Sequence, residues 1–347
     1  MRVVLFAWVI LLLVSCKDKA EEEPKLENFI FSGGYYICNE GNFTYSNASL
    51  SYVDPESGRV ENQVFVRTNG FPLGDVVQSA AIINNILFIV VNNSGKVVLC
   101  DPNTVKVIKT IEGLVSPRYV EQISDSLVLI SDLYDTRLHV VNLNTFQLRA
   151  LEIGAGSEEM IRYQDFLYTN TWSGGNKIHK ISTQTLTKEG EIVVTAGPLS
   201  MARVGHNLWV ISQGDEDENP ALTRINLLDF TIDYTYSLQG SASPSNLSVD
   251  SLNKKLYFLA GGHPVKEGDK GGLFSFDYEE LCLDSTAIVP RANSLFYHHY
   301  YDGVSKEHFL CDAKDYLQDG TLLRYNEEGL LLDSYKLSVI PSFILKF

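Results

Sequence analysis

The chain has 347 residues, of which 45% are hydrophobic and 11% aromatic, and its formal net charge at pH 7 is −15. This composition excludes a disordered chain, because disordered chains carry too little apolar surface to fold. The acidic balance argues against a nucleic-acid partner, since binding to phosphates requires clustered Lys and Arg. Tyr and Phe make up most of the aromatic residues, and both favour strands.

Residues 1–15 are predicted to be a signal peptide of the bacterial lipoprotein type. Arg2 precedes an apolar run that is too short for a comfortable membrane span, and the run ends in Leu-Val-Ser directly before Cys16. Cleavage there would leave Cys16 as a lipidated N-terminus that holds the chain on a membrane. The alternatives are an ordinary signal peptide, or a membrane anchor with an incidental cysteine.

Residues 16–32 are charged and lack periodicity, which predicts a flexible acidic tether. An acidic stretch directly after a lipidated cysteine resembles the surface-export signal of outer-membrane lipoproteins in some Gram-negative gut bacteria. The prediction is therefore an outer-membrane lipoprotein exposed at the cell surface, with the periplasmic face as the alternative.

Four cysteines remain after Cys16, and none of them forms a Cys-x-x-Cys pair. Cys38, Cys100 and Cys311 lie in apolar, strand-like runs, where buried free thiols are common. We therefore expect no disulfide framework, with a single bridge between neighbouring strands as the open alternative.

A short polar turn between two strand-like runs recurs along the rest of the chain. Successive turns begin 40 to 51 residues apart, and each starts with Asp, Asn or Ser. The seven starts are Asp54, Asp101, Asn142, Ser182, Asn226, Asp277 and Asn326. A period of about 40–50 residues with about four strands per unit is typical of a β-propeller blade. Residues 33–347 are therefore predicted to form an all-β, seven-bladed β-propeller of four-stranded antiparallel blades.

The two ends of this region predict how the ring closes. The first unit begins with YYICNEG and lacks an innermost strand, whereas the chain ends with PSFILKF, a strand without a partner in its own unit. The C-terminal strand is expected to join the N-terminal blade, which removes exposed sheet edges. Two further strands are predicted at VENQVFVR (60–67) and LDSTAIV (283–289).

One face of the predicted ring gathers the long loops. In a four-stranded blade, the loop between the second and third strands shares a face with the crossover to the next blade. These segments are rich in aromatic residues, Asn and Gly, and long loops on a rigid scaffold are where binding is expected. The predicted ligand-binding residues are Asn42, Phe43, Tyr45, Phe71, Asn92, Asn93, Arg118, Tyr119, Tyr134, Trp172, Gln213 and Tyr316.

These side chains suit a large ligand with flat apolar faces and amide or phosphate groups, and they also suit sugars or a protein partner. Trp209 lies inside a strand and is predicted to pack between blades. Asp132, Asp135 and Asp312 lie near strand ends on the same face. Turn caps and polar ligand contacts are equal alternatives for these three carboxylates.

Motifs for catalysis or metal binding are scarce. The sequence has no Gly-x-Ser-x-Gly elbow, no His-Glu-x-x-His motif and no P-loop. His298 and His299 lie in an inner strand, where we expect them to pack or to line the channel. The acidic run Asp215–Asn219 is expected to be solvated rather than to bind Ca²⁺. The chain is therefore predicted not to be an enzyme and to need no cofactor or metal.

The repeats, with segments such as VLCDPNTVKVIKTIEG and SPRYV, resemble the YncE-like and surface-layer-type seven-bladed β-propellers over about residues 33–347. The opening YYICNEGNFTYSNASLSYVDPESGRVENQVF, then NGFPLGDVVQS, VVNNS and SPRYV, resemble the BtuG class of surface lipoproteins. That resemblance implies capture of cobalamin and related corrinoids on the loop-rich face. It also implies transfer of the corrinoid to a TonB-dependent outer-membrane transporter of the BtuB type.

Two other functions are compatible with the sequence. The same aromatic face would serve a surface propeller that binds a glycan or a protein and has no affinity for corrinoids. A propeller enzyme, such as a lactonase or a lyase, would need a metal or an acid–base pair at the channel mouth. Scattered Asp and His residues are the only sequence feature that favours the enzyme.

Overall fold

The computed structural model describes residues 29–261 and 271–347. Over these residues the chain forms seven antiparallel sheets arranged in a ring, which confirms the predicted all-β, seven-bladed β-propeller. The predicted signal peptide, Cys16 and the tether as far as residue 28 lie outside the described residues. No helix in the described ranges is long and apolar enough to cross a membrane.

The N-terminal blade begins with three strands and a short helix. The strands are β1 (Tyr35–Asn39), β2 (Ser49–Asp54) and β3 (Arg59–Glu61), and the helix is α1 (Val64–Asn69). The helix occupies the second half of the segment VENQVFVR, so the strand prediction is wrong for that half. Gln63 has a left-handed backbone (φ 54°) that ends the strand, and the helical turn that follows buries Val64 and Phe65.

The next three blades each contain four strands in chain order, from an inner strand at the channel to an outer strand at the rim. The second blade contains β4 (Val77–Ile83), β5 (Ile86–Val91), β6 (Lys96–Cys100) and β7 (Val107–Glu112). The third contains β8 (Pro117–Gln122), β9 (Leu127–Asp132), β10 (Arg137–Asn142) and β11 (Leu148–Glu152). The fourth contains β12 (Met160–Tyr163), β13 (Phe166–Thr171), β14 (Lys177–Ser182) and β15 (Thr187–Val193).

The last three blades follow the same plan, except that the outer strand of the sixth blade is broken. The fifth blade contains β16 (Pro198–Val204), β17 (Asn207–Ser212), β18 (Ala221–Asn226) and β19 (Thr231–Ser237). The sixth contains β20 (Ser245–Asp250), β21 (Lys255–Ala260), β22 (Gly272–Asp277), β23 (Cys282–Leu283) and β24 (Val289–Pro290). The seventh contains β25 (Phe296–Asp302), β26 (Glu307–Asp312), β27 (Asp319–Asn326) and β28 (Leu331–Val339).

The break in the sixth blade corrects the prediction of one continuous strand at 283–289. Both β23 and β24 pair with β22, and the Asp284 N–H still donates to the Ser275 carbonyl at 3.0 Å, but the residues that follow leave the sheet. Ser285 and Thr286 are exposed and carry no apolar side chain to hold the strand against its neighbour. The segment therefore pairs only at its ends.

Ring closure follows the prediction. The C-terminal strand β29 (Pro341–Lys346) pairs antiparallel with β1 and becomes the inner strand of the N-terminal blade. Asp302 of the seventh blade reinforces the closure, because it accepts hydrogen bonds from the Tyr35 hydroxyl at 2.6 Å and from Lys346 Nζ at 2.7 Å. Strands from both ends of the chain thus complete one sheet.

The apolar core lies between the blades. A separate buried cluster fills each blade-to-blade interface in the described structure. Second strands such as β5 (ILFIVV) read as continuous apolar runs because both of their faces are buried. Trp209 in β17 is 1% exposed, which confirms its predicted packing role. Cys38, Cys100 and Cys311 are buried free thiols, whereas Cys282 is exposed.

The seven repeat residues that revealed the fold all act as turn acceptors between third and outer strands. For example, Asp54 Oδ1 accepts the Glu56 N–H at 3.0 Å, and Asn142 Oδ1 accepts the Asn144 N–H at 2.9 Å. Asp101, Ser182, Asn226, Asp277 and Asn326 make corresponding bonds in the other blades. A side-chain oxygen that satisfies the turn backbone explains why Asp, Asn or Ser recurs there.

The packed domain begins before residue 33. Phe31 is fully buried, its N–H donates to the Asn103 carbonyl at 2.7 Å, and its ring packs against Tyr36 and Tyr52. The last residues assigned to the tether therefore belong to the propeller, because their aromatic rings bury apolar surface in the first interface. Phe29 packs against the same cluster.

The ring has two distinct faces. The loop face carries the second-to-third-strand loops and the crossovers between blades. The turn face carries the tight turns between first and second strands and between third and outer strands. Asn103 lies in one of those tight turns, between β6 and β7, so the chain enters the propeller on the turn face.

Candidate functional site

All the predicted ligand-binding residues map to the loop face. Most lie in second-to-third-strand loops, at 40–48, 92–95, 133–136, 172–176, 213–220 and 313–318. Phe71 lies in the crossover that follows α1, and Arg118 and Tyr119 begin the inner strand β8 at the loop-face end of the channel. The structure therefore brings together the segments that the sequence assigned to one face, but it gives their side chains different roles.

Four aromatic side chains stand exposed on the loop face. Tyr45 is 76% exposed, Tyr134 71%, Phe43 66% and Phe71 49%. They come from the loops of the first and third blades and from the crossover after α1. Leu317, which the sequence analysis did not select, is 76% exposed in the loop of the seventh blade beside Tyr316. Exposed large apolar side chains that share one face of a rigid scaffold favour an interaction surface there. We call these five residues the aromatic rim, after its dominant side chains: Phe43, Tyr45, Phe71, Tyr134 and Leu317.

The predicted asparagines brace the loops. Asn42 Nδ2 donates to the Tyr316 carbonyl at 2.7 Å and so joins the loops of the first and seventh blades. Asn92 Nδ2 donates to Ser116 Oγ at 2.7 Å, and Asn93 Nδ2 donates to Asp75 Oδ2 at 2.5 Å. Because these amide donors are satisfied internally, their first role is to hold neighbouring loops in place.

Arg118 holds together the inner strands of three blades. Its Nε donates to Glu158 Oε2 at 2.7 Å, and its Nη1 donates to Gln78 Oε1 at 2.5 Å. Glu158 is 2% exposed, so the ion pair is buried on the carboxylate side. The Arg118 carbonyl also accepts a hydrogen bond from Ser79 Oγ at 2.6 Å. Arg118 is therefore a structural residue of the hub.

Two further carboxylates line the same end of the channel. Glu40 accepts a hydrogen bond from the Tyr297 hydroxyl at 3.3 Å, and Glu159 accepts from the Met201 N–H at 2.6 Å. Both side chains are only half-exposed, and enclosure by the surrounding blades raises the pKa of each to about 7. Each has a simple sequence signal: Glu40 directly follows β1, and Glu159 directly precedes the inner strand β12.

Tyr119 and Tyr316 form part of the channel wall. The ring of Tyr119 lies 6.3 Å from that of Phe343, and burial raises the pKa of its hydroxyl. Tyr316 packs edge-on against Tyr297, with ring centroids 5.7 Å apart. Neither ring stands free on the surface, so both shape the mouth of the channel from within.

The three aspartates with open roles are turn caps. Asp132 Oδ1 accepts the backbone N–H groups of Ser116 at 2.9 Å and Asp135 at 3.1 Å. Asp135 in turn accepts Arg137 Nε at 2.7 Å, and Asp312 Oδ1 accepts the Leu295 N–H at 3.0 Å. Cap and ligand contact were equal alternatives from the sequence, and the hydrogen bonds favour the cap.

A model of one protein family matches residues 33–269, which is more than half of the chain. The chain belongs to this family, the domain of unknown function DUF5074. No curated protein matches the chain.

Several solved structures share the fold of this DUF5074 protein at low sequence identity. A quinonprotein alcohol dehydrogenase-like protein from Bacteroides thetaiotaomicron has a TM-score of 0.69 and 13% identity, over 90% of this chain and 78% of that chain. A putative 6-phosphogluconolactonase from Bacteroides fragilis has a TM-score of 0.65 and 13% identity, over 91% and 98%. Hydrazine synthase from Kuenenia stuttgartiensis has a TM-score of 0.65 and 14% identity, over 77% and 88%. At such low identity, proteins as different as these share the fold alone with this chain.

A buried histidine pair lies between the sixth and seventh blades of the DUF5074 propeller, where both rings pack against Tyr257. His299 Nε2 lies 3.1 Å from His308 Nδ1, and His299 Nδ1 lies 3.2 Å from Ser248 Oγ. Burial lowers the pKa of His308 to about 4 and also lowers that of His299, so His299 accepts a proton poorly. His298 packs against Phe343, with ring centroids 5.1 Å apart. These histidines pack, as expected: His299 and His308 lie between two blades, and His298 lies against the C-terminal strand.

The acidic loop of the fifth blade is ordered by its own first residue. Asp215 Oδ1 accepts the N–H groups of Asp217 and Glu218, each at 2.9 Å. Among the residues that the structure of this DUF5074 chain describes, no group of three His, Cys, Asp or Glu side chains is arranged to hold a metal ion.

Proposed function

We propose that this DUF5074 propeller is a cell-surface lipoprotein that captures cobalamin and related corrinoids on its loop face. The proposal includes an anchor through lipid on Cys16 in the outer membrane and transfer of the corrinoid to a TonB-dependent, BtuB-like transporter. The protein would act by binding alone, without chemistry of its own. The observation that carries the proposal is the aromatic rim on the loop face.

The rim suits a corrinoid because such a ligand combines a broad flat macrocycle with an amide-bearing edge. Aromatic side chains offer large contact area at low conformational cost. Tyr45 and Tyr134 are 76% and 71% exposed. Their hydroxyls would form hydrogen bonds with amide groups at the edge of the macrocycle. The segments that resemble the BtuG class include Phe43, Tyr45 and Phe71.

The bracing of the loops supports tight capture. The bonds from Asn42 to Tyr316 and from Asn92 to Ser116 fix loops of neighbouring blades before any ligand arrives. A prearranged site loses little conformational entropy when it binds, and this smaller entropic cost gives a higher affinity. The predicted asparagines would therefore contribute to corrinoid binding mainly by holding the rim.

The deciding experiment is calorimetric titration of the purified chain with cyanocobalamin. We expect one-to-one binding with a dissociation constant well below micromolar. The double substitution Tyr45→Ser and Tyr134→Ser should weaken binding by about tenfold or more, since each tenfold step corresponds to about 1.4 kcal/mol. Val304→Ser is the matched control, because Val304 is 87% exposed in a tight turn of the turn face.

The absence of heat and of co-elution at micromolar cyanocobalamin would overturn the corrinoid proposal. An unchanged affinity of the tyrosine double variant for cyanocobalamin would instead show that the corrinoid binds outside the rim. In the first case, a surface protein that binds a glycan or another protein through the rim becomes the leading function.

A further inference from the structure

A separate cavity of about 490 Å³ opens on the loop face between the fourth and fifth blades. Its lining combines one indole, that of Trp172, with Gln213, Asp215 and the glycine-rich backbone of three loops. Its volume falls within the range of small-molecule sites, roughly 300–1,000 Å³. None of the aromatic-rim residues lines it. We infer that this cavity is a second binding site, for a neutral sugar ring.

The walls of the cavity are built before any ligand binds. Backbone hydrogen bonds of 2.9 Å run from the Gly197 N–H to the Gly175 carbonyl and from the Gln213 N–H to the Gly197 carbonyl. A third bond of the same length runs from the Gly214 N–H to the Ala196 carbonyl. The three loops at 172–176, 194–197 and 213–220 therefore form one connected wall. Ligand binding then requires little loss of conformational entropy in these loops.

Glycine keeps this wall close to the cavity. Gly214 has a φ of 71°, and a Cβ built there would lie 2.2 Å from the Glu218 carbonyl oxygen. Only glycine fits in this tight loop without a shift of the backbone, and the main chain of Gly214 lines the cavity. Main-chain and amide groups are the donors and acceptors that a polyhydroxylated ring requires.

Trp172 supplies the apolar platform. Its indole N–H donates to Gln213 Oε1 at 3.2 Å, which fixes the orientation of the half-buried ring. The face of an aromatic ring is electron-rich and attracts the weakly positive C–H groups of a pyranose face. One oriented indole beside a polar wall therefore matches the two-sided chemistry of a sugar ring.

Charge selects a neutral ligand. Asp215 lines the cavity and begins the acidic run that continues through Glu216, Asp217 and Glu218, whereas no Lys or Arg of the described chain lines it. These carboxylates repel phosphate and carboxylate groups but accept hydrogen bonds from hydroxyls. The site therefore disfavours nucleotides, uronic acids and the phosphodiester of cobalamin relative to neutral sugars.

The test uses tryptophan fluorescence of the full processed chain, purified in detergent. Trp8 lies in the predicted signal peptide, and Trp209 is 1% exposed, so Trp172 is the responsive reporter. Titrants are maltose, cellobiose and methyl α-D-mannopyranoside, with glucuronic acid as the anionic counterpart. We expect a saturable spectral shift with at least one neutral sugar, and binding of glucuronic acid weaker by about tenfold or more.

Two variants separate this site from the corrinoid site. Trp172→Ala should abolish sugar binding in calorimetry, whereas the double variant Tyr45→Ser with Tyr134→Ser should weaken cyanocobalamin binding and leave sugar binding in place. Failure of every neutral sugar to shift the spectrum, or equal binding of glucuronic acid, would overturn the inference. Loss of cyanocobalamin binding in Trp172→Ala would assign the cavity to the corrinoid instead, and circular dichroism checks that each variant is folded.

Discussion

Arg118 illustrates how single residues hold the hub. It spans the second, third and fourth blades through Gln78 and Glu158, and only 15% of its side chain is exposed. A buried ion pair adds little net stability over apolar residues, but removal of one partner leaves an uncompensated charge. The carboxylate of Glu158, at 2% exposure, has no access to water that could replace the guanidinium.

We therefore predict that Arg118→Met lowers the free energy of unfolding by about 3–5 kcal/mol, as measured by urea denaturation. Replacing both partners, as Arg118→Met with Glu158→Met, should recover much of the loss because no charge is left buried. A variant Arg118→Met of normal stability that no longer binds cyanocobalamin would contradict the structural role and restore Arg118 as a ligand contact.

Glu40 and Glu159 make a prediction about pH. Their pKa values near 7 in the folded chain lie above the ordinary glutamate value because burial disfavours the charged form. The folded state thus binds these protons more tightly than the unfolded state, so their stabilising contribution is complete at low pH and is lost as pH rises towards 7. Burial of His298 and His308 lowers their pKa values and acts oppositely, with stability lost as pH falls below the ordinary histidine pKa.

Comparison of each glutamine variant with the wild type cancels the histidine contribution. Glu40→Gln and Glu159→Gln keep one acceptor oxygen and stay neutral, so each should raise the melting temperature at about pH 8 and have little effect below about pH 4, where the unfolded glutamate is also protonated. Melting curves across this range check the prediction. Parallel curves for variant and wild type would show that neither carboxylate changes its charge on folding.

At the scale of elements, α1 is the departure from the regular blade. It buries Val64 and Phe65 in the first blade interface, and Asn69 ties it to the second blade by donating to the Val105 carbonyl at 2.9 Å. The helix ends at Gly70, whose φ of 78° is left-handed and whose N–H donates to the Val66 carbonyl. This end lies directly before Phe71 of the aromatic rim, so the helix sets the position of that ring.

Gly70→Ala should cost about 1 kcal/mol, because a Cβ disfavours the left-handed backbone. No atom lies within 4 Å of the added Cβ, so the cost comes from the backbone alone. Gly70→Asn should lose less, since Asn tolerates this conformation. Gly303→Ala is the control, since Gly303 lies in a tight turn without a left-handed φ. Equal urea midpoints for Gly70→Ala and wild type would contradict this account.

The pairing that closes the ring makes the whole molecule depend on its last residues. Along β29, Ile344 lies opposite Ile37 and Phe343 opposite Cys38, and Phe347 N–H donates to the Gly34 carbonyl at 2.8 Å. Lys346 also donates to Asp302 of the seventh blade and Ser342 Oγ to the Val77 carbonyl of the second, so β29 connects three blades. An open ring would leave β1 as an edge strand with unpaired backbone groups, which favours aggregation.

Deletion of residues 341–347 should accordingly abolish cooperative thermal unfolding and yield aggregates. A synthetic peptide PSFILKF added during refolding should restore part of the soluble, cooperatively unfolding species. The control is Phe347→Ala, which keeps all the backbone pairs of β29. Size-exclusion chromatography and calorimetry provide the readout, and a monomeric deletion variant with a normal melting temperature would contradict closure by this strand.

The sequence predicted the blades well because each depends on local chemistry that repeats. Asp54 and Asn142 occur where a turn needs a side-chain acceptor, and continuous runs such as ILFIVV occur where a strand is buried on both faces. The prediction failed at 64–67, where apolar alternation fits a strand but tertiary packing selects a helical turn. It could not assign Asn92 or Arg118 either, because their partners Ser116 and Glu158 are brought near only by the fold.

Phe31 gives the propeller a fixed point of attachment. It is locked against Asn103 on the turn face, and only twelve residues separate Phe29 from Cys16, a reach of about 40 Å when fully extended. A lipid on Cys16 would anchor the propeller to the membrane from its turn face, through a short tether. The loop face would then point towards the medium and collect the ligand there. Delivery to a transporter in the same membrane would require the whole propeller to rotate on its tether.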